Sequence, residues 1–127
     1  MDRPYRILLV EDSRTQAIKL THTLEKEGWE VVWAATAQQA MEGIDRSAPD
    51  LILLDEPFAA MDADGAELVG SLIREALARD ASVVLTAHAP LEIAGVELEM
   101  FNLESNGLTP FRDEGRRGGL RHLLRRP

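Results

Sequence analysis

Two short, wholly apolar runs closed by carboxylates constrain this chain more than any other feature. Ile7-Leu-Leu-Val10 ends at Glu11 and Asp12, and Leu51-Ile-Leu-Leu54 ends at Asp55. A four-residue run with no polar face reads as a strand buried on both sides, which belongs to a parallel sheet with helices on its faces. The segments between the runs supply those helices. Ser13 caps a helix with Ala17, Leu20, Thr21 and Leu24 at helical spacing, and Gly28 stops it. Val31, Val32 and Trp33 form a second strand. Thr36 caps a second helix with Ala40, Met41 and Ile44 inward, which ends before Pro49. A Pro-, Ala- and Asp-rich loop follows Asp55 as far as Asp64, then a helix with Leu68, Leu72, Ile73 and Leu77, then a fourth strand over Ser82–Leu85 that ends at Thr86. Alternating strands and helices imply right-handed crossovers and a mainly parallel sheet in a three-layer α/β sandwich. Open sheets of this kind bind ligands at the carboxyl ends of their strands, where these acids sit.

Past Thr86 the pattern is ambiguous. Val96, Leu98 and Met100 alternate like a strand, while Leu91, Gly95 and Leu98 suit a helix equally well. The Ser105-Asn106-Gly107 step predicts a hairpin joining residues 96–103 to residues 108–111. Trp29, Trp33 and this hairpin are expected in the core.

At 127 residues and 45% hydrophobic content the chain suits one domain with a core of its own. It has no cysteine, which excludes disulfides, thiolate metal sites and cysteine nucleophiles. Residues 7–10 are the only apolar run near the N-terminus, too short for a signal peptide or a membrane span, so a cytoplasmic setting without membrane contact is expected. The net charge is -8, yet six of fourteen basic residues fall after Phe111 (Arg112, Arg116, Arg117, Arg121, Arg125 and Arg126). The acidic body does not suit a nucleic-acid backbone. The expected organisation is a domain over residues 1–111 and a flexible basic tail over 112–127, solvated or docked on an acidic partner.

If strands one and three are neighbours, Glu11, Asp12 and Asp55 converge, and three carboxylates so placed call for a cation. Magnesium takes a few carboxylates, a backbone carbonyl such as that of Pro57, and waters. With charge neutralised, Asp55 becomes a nucleophile towards a phosphoryl group, and Thr86 is placed to hydrogen-bond a phosphoryl oxygen. The plainer alternative is that these acids cap the next helix, as Asp12 does by position, and stay solvated.

The strings Arg6-Ile-Leu-Leu-Val-Glu-Asp-Ser13 and Ala48-Pro-Asp-Leu-Ile-Leu-Leu-Asp55 resemble the first half of a response-regulator receiver domain. The resemblance implies a flavodoxin-like fold with a five-stranded sheet. It also implies Asp55 as phosphoacceptor, Glu11 and Asp12 as magnesium-binding acids, Pro57 as carbonyl ligand, and Thr86-Ala87 as switch threonine and small neighbour. The implied activity is phosphorelay signalling rather than enzyme catalysis, with a histidine kinase or phosphotransfer protein as partner. Receivers also place a lysine before a proline at the end of the fifth strand. Here the only lysines are Lys19 and Lys26, both in the first helix, and Leu108-Thr109-Pro110-Phe111 offers no cation.

A second resemblance begins inside the first. Leu51-Ile-Leu-Leu-Asp-Glu-Pro-Phe-Ala-Ala-Met-Asp-Ala-Asp-Gly65 and Ser82-Val-Val-Leu-Thr-Ala-His88 are similar to an ABC transporter ATPase of the cytochrome c maturation haem-exporter type, from Walker B strand to switch histidine. That likeness implies Asp55 as Walker B acid, Glu56 as catalytic base, Met61-Asp62 as part of the D-loop and His88 as γ-phosphate sensor. No G-x-x-x-x-G-K-[ST] occurs in the chain, so no loop cradles a triphosphate and ATP hydrolysis is not expected. In that case Glu56 and His88 are surface residues of their loops. The two likenesses meet at Leu-Leu-Asp, which suggests a hybrid chain, natural or engineered, whose ABC-like half contributes structure alone.

Overall fold

A computed structural model describes residues 3–59, 61–105 and 107–110. Within them the order is β1 (Arg6–Val10), α1 (Arg14–Lys26), β2 (Glu30–Ala34), α2 (Ala37–Ser47), β3 (Leu51–Leu54), α3 (Ala63–Ala78), β4 (Ser82–Leu85), β5 (Phe101–Glu104) and β6 (Gly107–Pro110). The first four strands make one parallel sheet in the order β2-β1-β3-β4. The chain steps one way from β1 to β2 and the other way from β2 to β3. Right-handed crossovers therefore put α1 on one face and α2 and α3 on the other, which is the flavodoxin-like three-layer arrangement.

Both predicted helix caps, Ser13 and Thr36, are present, and the third helix starts inside the predicted loop, capped by Asp62. Ser13, Thr36 and Asp62 accept from the backbone N–H groups of Gln16, Gln39 and Gly65, and Gly28 follows α1 at φ +89°, a conformation that suits glycine. Strand register sorts the core. Leu8, Val10, Ile52, Leu54, Val83 and Leu85 face α2 and α3, where Ala40, Ile44, Val69, Leu72, Ile73 and Ala76 are buried. Ile7 and Leu9 face the other way, buried on the α1 side. That side is covered less completely: Leu51 and Leu53 are half-buried and Val84 is exposed.

Among the described residues the sheet has four strands and not the five implied by the receiver resemblance, because β5 and β6 pair with each other, antiparallel, with Leu103 opposite Leu108. The predicted hairpin thus exists, but its first arm is shorter than residues 96–103. Val96 instead bridges back to Ile93 across a turn in which Gly95 takes φ +79°, and no helix forms over Leu91 to Leu98. The predicted end of the second arm at Phe111 and the basic tail lie outside the described residues. Trp29 and Trp33 are at the surface and not in the core, since one precedes and the other lies on the edge strand β2. Phe101, Leu103 and Leu108 of the hairpin are exposed as well. No described helix is long and apolar enough to cross a membrane.

Asp50 ties the amino ends of the strands together. Its carboxylate accepts from the backbone N–H of Arg6 at 2.8 Å and from both terminal nitrogens of the Arg3 guanidinium at 2.9 Å. The Arg6 N–H first, and the Arg3 guanidinium beyond it, hold the Asp50 carboxyl below the ordinary 3.8 against the opposing effect of burial. An acid whose folded pKa is depressed adds stability that is present above its unfolded value and is lost as pH falls through the folded one. We expect Asp50→Ala to cost about 1.5–3 kcal/mol near neutral pH. The difference from the native chain should shrink as denaturant melts are taken to pH 3 and below.

Candidate functional site

Three residues stand one step beyond the paired strand ends, and the backbone ladder carries on into them. Glu11 N–H donates to the Ala34 carbonyl at 3.1 Å, Asp55 N–H to Val10 at 3.4 Å and Thr86 N–H to Leu54 at 3.0 Å. Val10 pairs with Leu54, and Leu54 with Leu85, so Glu11, Asp55 and Thr86 stand side by side at the carboxyl edge. The Thr86 hydroxyl donates to Asp55 Oδ1 at 2.6 Å and accepts from the Glu56 N–H at 2.9 Å.

Glu11 is the one charged side chain in the described residues that is buried, at 5% exposure. Burial pushes its carboxyl up from 4.5 to about 7, and hydrogen bonds to the Asp55 and Asp12 side chains add to this against the opposing Ser13 N–H, which donates to Glu11 Oε2 at 3.0 Å. The three acids are therefore brought together with Glu11 at the centre. Asp12 is exposed, and Asp55 gives one oxygen to Thr86. Among the described residues no group of three or more His, Asp or Glu side chains is spaced to hold a metal ion directly. The donor chemistry still fits magnesium, which is an oxygen-seeking ion that keeps several of its waters. A buried carboxyl held towards protonation by two neighbouring acids lacks positive charge, and a divalent cation supplies it.

A family model for the response regulator receiver domain matches residues 7–102. The chain belongs to the response regulator receiver family. The receiver is similar to sporulation initiation phosphotransferase F of Bacillus subtilis, at 37% identity over 57 residues, 45% of this chain and 46% of the relative. It is also similar to the cytochrome c biogenesis ATP-binding export protein CcmA of Nitrosospira multiformis, at 38% identity over 53 residues, 42% of this chain and 26% of the relative. Among solved structures it resembles a CheY-like receiver domain from Methanospirillum hungatei, with TM-score 0.56 and 27% identity over 70% of this chain and 68% of that one. Another is the response regulator TrrA of Thermotoga maritima, crystallised with Mg(2+)-BeF, with TM-score 0.53 and 26% identity over 66% of this chain and 70% of that one. The receiver spans less than half the length of the curated relatives it matches.

The remaining predicted site residues lie on the rim. Pro57 is half-buried in the turn that Ala59 N–H closes onto the Glu56 carbonyl at 3.2 Å, and Ala87 is exposed beside Thr86. Asp62 caps α3, its Oδ1 accepting from Gly65 N–H at 2.8 Å, so the backbone of the helix occupies it. His88 Nε2 meets Glu56 Oε1, so these two are brought together across the loops after β3 and β4. Sequence reasoning missed Trp33, whose indole N–H donates to the Glu11 carbonyl oxygen at 2.7 Å. Its place at the end of β2, opposite Leu9, was the available signal.

Thr86 both donates to Asp55 and accepts from Glu56, so an isosteric side chain without the hydroxyl loses two hydrogen bonds. We expect Thr86→Val to lower stability by roughly 1–3 kcal/mol and Thr86→Ser to retain most of it, measured by urea melts.

Proposed function

We propose that this receiver accepts a phosphoryl group on the Asp55 carboxylate, in phosphorelay signal transduction, from a histidine kinase or a phosphotransfer protein. The observation that carries the reading is the 2.6 Å hydrogen bond from Thr86 to Asp55, beside a buried acid at the mouth of a parallel sheet. In this reading Asp55 and Thr86 are already arranged for a phosphoryl oxygen to replace the carboxylate oxygen as the partner of the hydroxyl. Glu11, Asp12, Asp55 and the Pro57 carbonyl would hold magnesium, which neutralises charge on the phosphoryl group when bound. Ala87 is a small neighbour that leaves room beside the threonine.

Lys19 and Lys26 are both on α1, so no lysine of this chain takes the place beyond a fifth strand that the family resemblance implies. The reading therefore includes acceptance of phosphate with a weakened conformational switch. The domain is a substrate of its donor and not an enzyme acting on another molecule, and its setting is cytoplasmic.

The 38% identity over 53 residues to the ATP-binding export protein supports a second reading, a hybrid of receiver and ABC ATPase segments in which the second part supplies structure. ATP hydrolysis has no support, because no phosphate-cradling Gly-Lys-Ser/Thr loop is present in the chain.

Intact-mass spectrometry after incubation with acetyl phosphate tests the first reading. We expect one phosphoryl group to be gained in the presence of magnesium, and none with chelator or in Asp55→Asn. No adduct on a chain shown to be folded by circular dichroism would leave the silent hybrid as the better account.

A further inference from the structure

The β5–β6 hairpin presents an apolar face to solvent. Side chains alternate along a strand and partners across a ladder share a face, so Phe101, Leu103, Leu108 and Pro110 lie together on one side. Phe101 is 44% exposed, Leu108 65% and Leu103 80%. The other side is polar. It holds Asn102 and Thr109, and the Thr109 hydroxyl donates to Glu104 Oε1 at 3.1 Å. A two-stranded hairpin is marginally stable in water by itself, and packing of its apolar face is what secures it. A contiguous apolar patch of this kind marks a surface that is covered by something.

The residues that follow Pro110 have the matching chemistry. Residues 87–110 contain Glu92, Glu97, Glu99 and Glu104 and neither lysine nor arginine, whereas residues 112–127 contain six arginines against Asp113 and Glu114. In that second segment Leu120, Leu123 and Leu124 recur at the spacing of one helical face, with Arg121 and Arg125 four apart beside them. The reach suffices. Ten residues step from Pro110 to Leu120, and Gly115, Gly118 and Gly119 among them suit the reversal of direction that a return requires. Fully extended, ten residues reach about 33 Å, more than twice the length of roughly 14 Å of a four-residue strand. A second copy of the chain fits less well, because it brings the acidic residues 87–110 of one molecule up to those of another.

We propose that residues 120–126 dock within the same molecule on the apolar face of the hairpin. Leu120, Leu123 and Leu124 pack against Phe101, Leu103 and Leu108, and the arginines beside them meet the carboxylates of Glu99 and Glu104. The docked segment withholds this face from other proteins. The proposal is independent of the phosphoacceptor reading.

The chain has no cysteine, so a pair of introduced thiols reports the contact without background. The full chain carrying Leu103→Cys and Leu123→Cys is oxidised in dilute solution, and disulfide formation is followed by intact-mass spectrometry and non-reducing electrophoresis. Asn102→Cys with Leu123→Cys is the control, because Asn102 is one residue away and on the opposite face of the hairpin. Leu103 and Asn102 are both exposed, so neither cysteine disturbs the core. We expect the Leu103 pair to close within one molecule at least about tenfold faster than the control, since docking raises the effective concentration of one thiol at the other. Adding Leu120→Asp and Leu124→Asp to the Leu103 pair should remove that advantage. Equal rates for the two pairs, or an advantage that survives the two aspartates, overturn the proposal. Disulfides formed chiefly between molecules overturn it in favour of a second copy on this face.

Discussion

Everything at the carboxyl edge depends on the parallel register of three buried strands. Val10, Leu54 and Leu85 lie level with one another, and the next residue in each strand is Glu11, Asp55 and Thr86. Because side chains alternate between faces, a slip of one residue would turn Leu8, Val10, Ile52 and Leu54 away from α2 and α3 and break the row of functional groups in the same movement. The core and the site are thus specified together. The Asp50 carboxylate, bonded to Arg6 N–H at the other end of the sheet, supports the same alignment from below.

The burial that positions Glu11 also changes its chemistry. A carboxyl group at 5% exposure beside Asp55 and Asp12 is pushed up to about 7, so the cluster holds fewer negative charges than its three acids would carry in water. Asp55 meanwhile shares its charge with the Thr86 hydroxyl. These two effects ease the repulsion among acids that the fold holds close together.

The first four strands and three helices could be read from the sequence because their signals are local and agree with one another. Ser13 and Thr36 cap the helices they were expected to cap, and the apolar runs 7–10 and 51–54 are buried as their composition demanded. Asp55 and Thr86 were legible for the same reason, since each ends a recognisable strand. The contact between Glu56 and His88 was not, because two loop side chains thirty-two residues apart leave no periodic trace. Trp33 misled in the other direction. Its size favoured the core, but an edge strand exposes one flank, and the indole N–H found the Glu11 carbonyl there. After Thr86 propensity was divided between strand and helix, and Gly95 settled it by turning Val96 back onto Ile93.

The two family resemblances meet at the place where the physics tolerates a join. Both place a buried parallel strand before an acid and a helix after it, so Leu51–Leu54 satisfies either parent's core without adjustment. The parents diverge in the loop beyond that strand. In this chain the residue after Asp55 takes a left-handed backbone and donates its N–H to Thr86, while its side chain engages His88 from the next loop. The loop after β3 thus forms part of the rim of the site whose floor is the row of strand ends. The sheet carries the acids at its strand ends, and the loops above them decide what else those acids meet. A change confined to residues 56–62 or 87–90 therefore alters the surroundings of Asp55 while the register that holds Asp55 in place is untouched.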